Sequence, residues 1–134
     1  MEEIKLWKDE EQKIIDPLLF SLKAEELAKE MAADHKSSKG KKVNKRTQIR
    51  KFYDEILRLN VEVKRQQQWD TVLPLLHMMI AKAAYASGRE LVSDSFVKFI
   101  RSSIEQVKDP KGLDVFANFF EAFMGFYRMY GPKN

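Results

Sequence analysis

The chain has no cysteine. It can therefore form neither a disulfide nor a thiolate metal site, and a reducing, cytoplasmic location is expected. Five glycines and four prolines in 134 residues are too few for a turn-rich β fold. No apolar run reaches the ~18 residues of a membrane span. Met1-Glu2-Glu3 does not open the positive-then-apolar pattern of a signal peptide. Neither a Walker sequence nor GxGxxG is present. The two histidines, His35 and His77, lack HExxH or any other ligand spacing, so each is read as a structural residue and no metal is expected. Glu25-Glu26 and Asp54-Glu55 are adjacent, which on a helix turns their carboxylates about 100° apart and makes them solvated or salt-bridged groups (Glu55 to Arg58 is three apart). No nucleophile has a base beside it. The chain is expected to be non-catalytic and to need no cofactor.

What is present is helical periodicity. Hydrophobic residues make up 44% of the chain, enough for one core in one domain spanning 1–134. Ile49, Phe52, Tyr53, Ile56, Leu59 and Val63 recur at three- and four-residue steps and lie on one helical face, with Thr47 as the expected N-cap. That helix is expected over Thr47 to about Gln68. A break near Trp69-Asp70 starts the next helix, with Pro74 in or close to its first turn, Leu73, Leu76, Met79, Ile80, Ala83 and Ala84 inward, and Gly88 as the C′ glycine. Without that break one long helix results, which could pass its second half to another copy. Ser21 is the expected N-cap of an earlier helix, Leu22 to about His35, burying Leu22, Leu27, Ala28 and Met31. A fourth helix is expected over Val92–Val107, with Phe96, Phe99, Ile100 and Ile104 inward, stopped by Asp109-Pro110. A fifth, Leu113–Tyr130, has Phe116, Phe119, Phe120 and Phe123 on one face. Phe126 or Tyr127, and Tyr130, continue that face, and the surplus, Phe126 or Tyr130, is a candidate for a partner surface. Residues 1–20 read as a short helix or partly ordered arm ending near Asp16-Pro17. The fold class is all-α, a compact bundle of about five helices.

Charge is uneven. Residues 36–51 carry eight Lys or Arg and no acid, against a net +4 for the chain, which leaves −4 for the remainder. An acidic body with one basic strip points to a polyanion. The strip includes a lysine-rich loop at about 36–46, in which nothing can be buried and which is expected to be mobile without a ligand. The cations off the apolar face are candidates for phosphate contacts: Lys45, Arg46, Arg50, Lys51, Arg58, Lys64 and Arg65, then Lys82 and Arg89 further on. Arg50 and Lys51 are placed in the first turn of their helix, whose dipole favours an anion. No aromatic-rich sheet is available for base stacking. The simpler reading of any one cation is a solvated surface charge.

Thr47-Gln48-Ile49-Arg50-Lys51-Phe52-Tyr53-Asp54-Glu55, Ala84-Tyr85-Ala86 with Gly88-Arg89, and Phe119-Phe120-Glu121-Ala122-Phe123 with Tyr127 and Tyr130-Gly131 together resemble the small subunit of type III-A CRISPR effector complexes, the Csm-type small subunit. The matches span roughly residues 16 to 131. The resemblance implies an all-α, non-catalytic subunit in antiviral defence. It would line a groove holding guide RNA paired with target RNA, contact the other subunits of the complex, and stack in several copies. It favours Arg50, Lys51, Arg58, Lys64 and Arg89 as backbone contacts. Self-association of the isolated chain, most simply as a homodimer, is expected, and no membrane role. A different class of reading is a helical protein–protein adaptor that dimerises through the aromatic last helix. A DNA-binding regulator is more distant, because tight helix–turn–helix spacing is absent.

Overall fold

A computed structural model describes residues 3–65 and 68–134. Among these residues five α-helices follow one another: α1 (Ala24–Ser37), α2 (Arg46–Lys64), α3 (Trp69–Gly88), α4 (Asp94–Glu105) and α5 (Pro110–Tyr130). The all-α reading holds. α5 packs between α1 and α2, α2 also packs on α3, and α3 packs on α4.

The core forms around α5 because its aromatics repeat every three or four residues. Phe116, Phe119, Phe120, Phe123 and Tyr127 are all fully buried. Phe99 of α4 meets four of these rings at 5.4–6.0 Å between centroids, and Phe120 meets Tyr53 of α2 at 5.6 Å. Such tilted and edge-on pairs add stability beyond the area they bury. Ile49, Phe52, Ile56 and Leu59 of α2, and Phe96, Phe99, Ile100 and Ile104 of α4, are buried as their spacing predicts. Gly131 closes α5 because any Cβ there would lie 2.7 Å from the Tyr127 carbonyl oxygen and 2.8 Å from its ring.

Several local expectations change. α2 begins at Arg46 with Lys45 at its N-cap, so Thr47 is not the cap. Instead the chain's last residues cover this end: the Arg46 guanidinium donates to the Lys133 carbonyl, and the Thr47 amide to the Asn134 carbonyl. Arg50 and Lys51 therefore fall in the second turn. Ser21 caps nothing. It lies in a π-type turn, Leu19–Lys23, that runs straight into α1. That wider turn leaves Leu22 at the surface. α2 ends at Lys64; the expected continuation through Gln66-Gln67 lies outside the described residues. α3 starts at Trp69, so Pro74 sits in its second turn, where its missing donor deserts only the exposed Asp70 carbonyl. Ala84 is exposed rather than inward. Gly88 is the last helical residue, and Glu90 takes the left-handed backbone at φ 59°. α4 is shorter than expected, Asp94–Glu105, because Ser93 starts it and Gln106 ends it. Asp109-Pro110 does more than stop α4. Asp109 caps α5 by accepting from the Gly112 amide at 2.8 Å, with Pro110 at the first helical position. Phe126 and Tyr130 are packed against the core, and the Tyr130 hydroxyl donates to Glu25 at 2.6 Å.

The first described residues form no helix. They run as an extended arm whose Ile4, Leu6 and Trp7 are buried.

Candidate nucleic-acid interface

The lysine-rich loop is tied to the core through one residue. Asn44 is completely buried, so the expectation that nothing in this loop can be buried is wrong. It adopts φ +60°, a left-handed conformation asparagine tolerates better than most residues. Its side-chain amide donates to the Met31 carbonyl and to Ser93 Oγ, and its side-chain carbonyl accepts from the Ser93 amide at 2.9 Å. Its backbone amide donates to Leu91 at 2.9 Å, and its backbone carbonyl accepts from the buried Tyr127 hydroxyl. Burial, and then the negative charge of Asp34, push the Tyr127 phenol far above its ordinary range, so it stays a neutral donor. His35 adds a second tie, its ring Nδ1 lying 2.8 Å from the Val43 carbonyl oxygen. Every polar group of Asn44 is thereby partnered, which repays its burial.

This tie places the loop beside the end of α3. Lys42 pairs with Glu90 at 3.2 Å, and Asn44 bonds to Leu91 in the same turn. Since α2 starts two residues after Asn44, the first half of α2 and the last half of α3 lie side by side. Between them is a groove of about 320 Å³, lined by Gln48, Lys51, Phe52 and Glu55 from α2 and Met79, Lys82 and Ala86 from α3. Its floor is apolar: Phe52, Met79 and Ala86 are buried. Its rims carry Lys51 and Lys82, both exposed, and neither makes an ion pair among the described residues.

The other candidate cations divide into two groups. Arg58 is held by both oxygens of Glu55, at 2.8 Å each. That hydrogen bonding lowers the Glu55 pKa, with smaller help from the charges of Arg58 and Lys82. Arg50 lies 3.9 Å from Asp54. Lys64 pairs with Asp114 at 2.7 Å, and this bond, with one from Asn60, holds the Asp114 carboxyl below its ordinary value. Arg46 is turned to the Lys133 carbonyl, and the Arg89 guanidinium lies over the Tyr85 ring at 5.7 Å. Lys45 is at the N-cap of α2. Lys64 and Arg65 sit at the far end of α2, about 20 Å along its axis from Lys51. The structure thus gathers Lys45, Arg46, Lys51, Lys82 and Arg89 at one end of the bundle and leaves Lys64 and Arg65 at the other. Asn44 was missed as the organiser of this end. Its signal was a lone asparagine inside a lysine run, the residue type best suited to a left-handed turn. His77 is exposed on α3. Among the described residues no group of three or more His, Cys, Asp or Glu could hold a metal ion, and no helix is long and apolar enough to cross a membrane.

Fold and surface together define a small all-α protein whose distinguishing chemistry is an unbalanced set of cations around one groove. The chain belongs to the Csm2 Type III-A family, whose model matches residues 20–133. It is therefore a small subunit of type III-A CRISPR effector complexes, from a structural subunit family that associates with the other subunits of that assembly. No curated protein and no solved structure matches the chain.

Proposed function

We propose that the α2–α3 groove and the adjoining lysine loop hold the sugar–phosphate backbone of guide RNA paired with target RNA, without reading its bases. The subunit makes no bond and breaks none. It neutralises phosphates, and several copies set side by side along the RNA extend that surface against the larger subunits. One observation carries this reading: Lys51 and Lys82 reach one apolar-floored groove from two different helices, and among the described residues neither makes an ion pair, the groove's one acid, Glu55, being bonded to Arg58. Cations spaced along a groove match phosphates that repeat along a strand, and such contacts position without specifying sequence. The loop lysines Lys39, Lys41 and Lys42 extend the same surface. Loop mobility without RNA belongs to this reading too, pivoting about the Asn44 anchor.

The adaptor reading rested on surplus aromatics of α5, and Phe126 and Tyr130 are partly buried and packed against the core rather than free at the surface. The test is RNA binding by assembled complexes carrying Lys51→Ala with Lys82→Ala, using two unrelated guide–target pairs. Both pairs should lose affinity by the same factor. A folded double variant that binds both as tightly as the parent sinks the proposal.

A further inference from the structure

Three of the four tyrosines are engaged at both ring and hydroxyl. Tyr53 packs on Phe120, and its hydroxyl bonds Glu121. Tyr127 is fully buried and donates to Asn44. Tyr130 packs against the core and donates to Glu25. Tyr85 has neither provision. It is 58% exposed, and its hydroxyl has no partner among the described residues. The contact its ring does make is with the Arg89 guanidinium, at 5.7 Å. Arg89 is exposed as well, and among the described residues it makes no ion pair.

The ring does not stand alone. Leu75, Met78, Lys82, Tyr85 and Arg89 recur along α3 and its exit at steps of three and four, and all five are exposed. Such spacing puts them on one outer stripe. α3 buries its other side through Val72, Leu76, Met79 and Ala83. Lys82 belongs both to the outer stripe and to the rim of the α2–α3 groove. Beyond Asp70, in its first turn, α3 carries no acid. Glu55, across the groove, is bonded to Arg58, and Glu90, just past the helix, to Lys42. Lys82 and Arg89 therefore flank the Tyr85 ring at roughly 5 and 6 Å along the axis, and neither is claimed by an acid.

An open ring between two cations fits a ligand that is flat and apolar at one end and anionic at the other. A nucleobase with its phosphate is such a ligand. Every base has a π-face, so stacking asks for no particular sequence, and a guanidinium beside the ring adds attraction. Inside a duplex the faces of a base are covered by its neighbours, so only an unpaired base can reach the ring. We propose that Tyr85, backed by Arg89, stacks on an unpaired base of RNA where a strand passes the α2–α3 groove, with Lys82 beside that nucleotide's phosphate. This rests on the RNA reading of the groove and adds a contact that paired RNA cannot make. The groove itself treats paired and unpaired backbone alike; the outer stripe favours RNA where pairing has not begun or has ended.

Fluorescence anisotropy with the full-length chain tests it on two probes: a short single-stranded RNA of mixed sequence, and the same RNA annealed to its complement. Tyr85→Ala should weaken binding of the single strand at least about fivefold and leave the duplex within about twofold of the parent. Its slope of log affinity against log salt should match the parent's, because no phosphate contact is lost. Tyr85→Phe keeps the ring and should bind both probes as the parent does. Circular dichroism checks that each variant is folded, which the exposure of Tyr85 favours. Lys51→Ala with Lys82→Ala should weaken both probes, and this separates the two readings. If that pair weakens both probes and Tyr85→Ala weakens neither, the stacking is wrong and the groove stands. If that pair leaves the duplex unaffected, the groove reading is wrong. A parent that binds the duplex but not the single strand, equal losses on both probes from Tyr85→Ala, or a Tyr85→Phe variant as weak as the alanine overturns the stacking. So does a Tyr85→Ala variant whose one change is weaker self-association, which would make the stripe a protein contact.

Discussion

Among the described residues α5 and the lysine loop meet at one hydrogen bond, Tyr127 to the Asn44 carbonyl, and they are held in place by opposite means. α5 is fixed by area: five aromatic rings on one stripe, each without solvent. The loop has almost nothing apolar to bury and is fixed by polar ties, foremost the amide side chain of Asn44 with all its polar groups matched, then His35 at the Val43 carbonyl. The difference teaches where each element is vulnerable. Loss of apolar volume damages the whole core, whereas loss of the amide unties one surface while leaving the bundle assembled.

Phe120→Ala should give the largest effect, roughly 3–5 kcal/mol of stability, since it touches rings from α2, α4 and α5. Urea denaturation measures it, and an unchanged midpoint would place the core elsewhere. Asn44→Ala should cost less, about 2–4 kcal/mol, by orphaning the Ser93 amide and by straining the left-handed turn. Asn44→Gly removes the strain but not the orphan. If the glycine variant is as stable as the parent, the side-chain bonds are not what holds the loop.

Acid should act on α5 and spare the Asn44 anchor. The Lys13 hydrogen bond, then the Gly112 amide, hold Asp109 below its ordinary value of 3.8. A carboxylate with a lowered folded-state pKa contributes stability that is complete above the unfolded value and lost as pH falls through the folded one. Thermal melts between about pH 5 and about pH 2 should therefore fall less steeply for Asp109→Asn, which can still cap the helix, than for the parent. Asn44 does not titrate, and its variants should keep the parent's slope. The smallest effect expected is at Glu55. Because it occupies Arg58 and faces Lys82 across the groove, Glu55→Ala should strengthen RNA binding about twofold, in line with an exposed ion pair. Weaker binding would mean that the carboxylate positions Arg58 for RNA.

Helix faces were legible wherever apolar residues repeat at helical spacing, which is why α2, α4 and α5 emerged with their buried residues named. Helix ends were less legible. Thr47 and Ser21 are good caps by type, yet the α2 end is covered by residues 133 and 134 and the α1 start is a π-type turn; neither is visible locally. The arm was ambiguous because Ile4, Leu6 and Trp7 share no helical or strand period; they are buried by a groove that other helices make. Among the cations, sequence located the basic strip but could not tell paired from unpaired. Asp114 is 50 residues from Lys64, and only the fold brings them to 2.7 Å.

The central claim is that the groove end of α2, and not its far end, carries the RNA. The slope of log affinity against log salt, measured on assembled complexes, tests it most directly. Lys51→Ala with Lys82→Ala should flatten the slope by roughly 0.7–0.9 for each phosphate that a copy no longer neutralises. Lys64→Ala with Arg65→Ala, an equal change of charge at the other end, should leave it near the parent's. Equal flattening by the two pairs, or more from Lys64 and Arg65, would contradict the account.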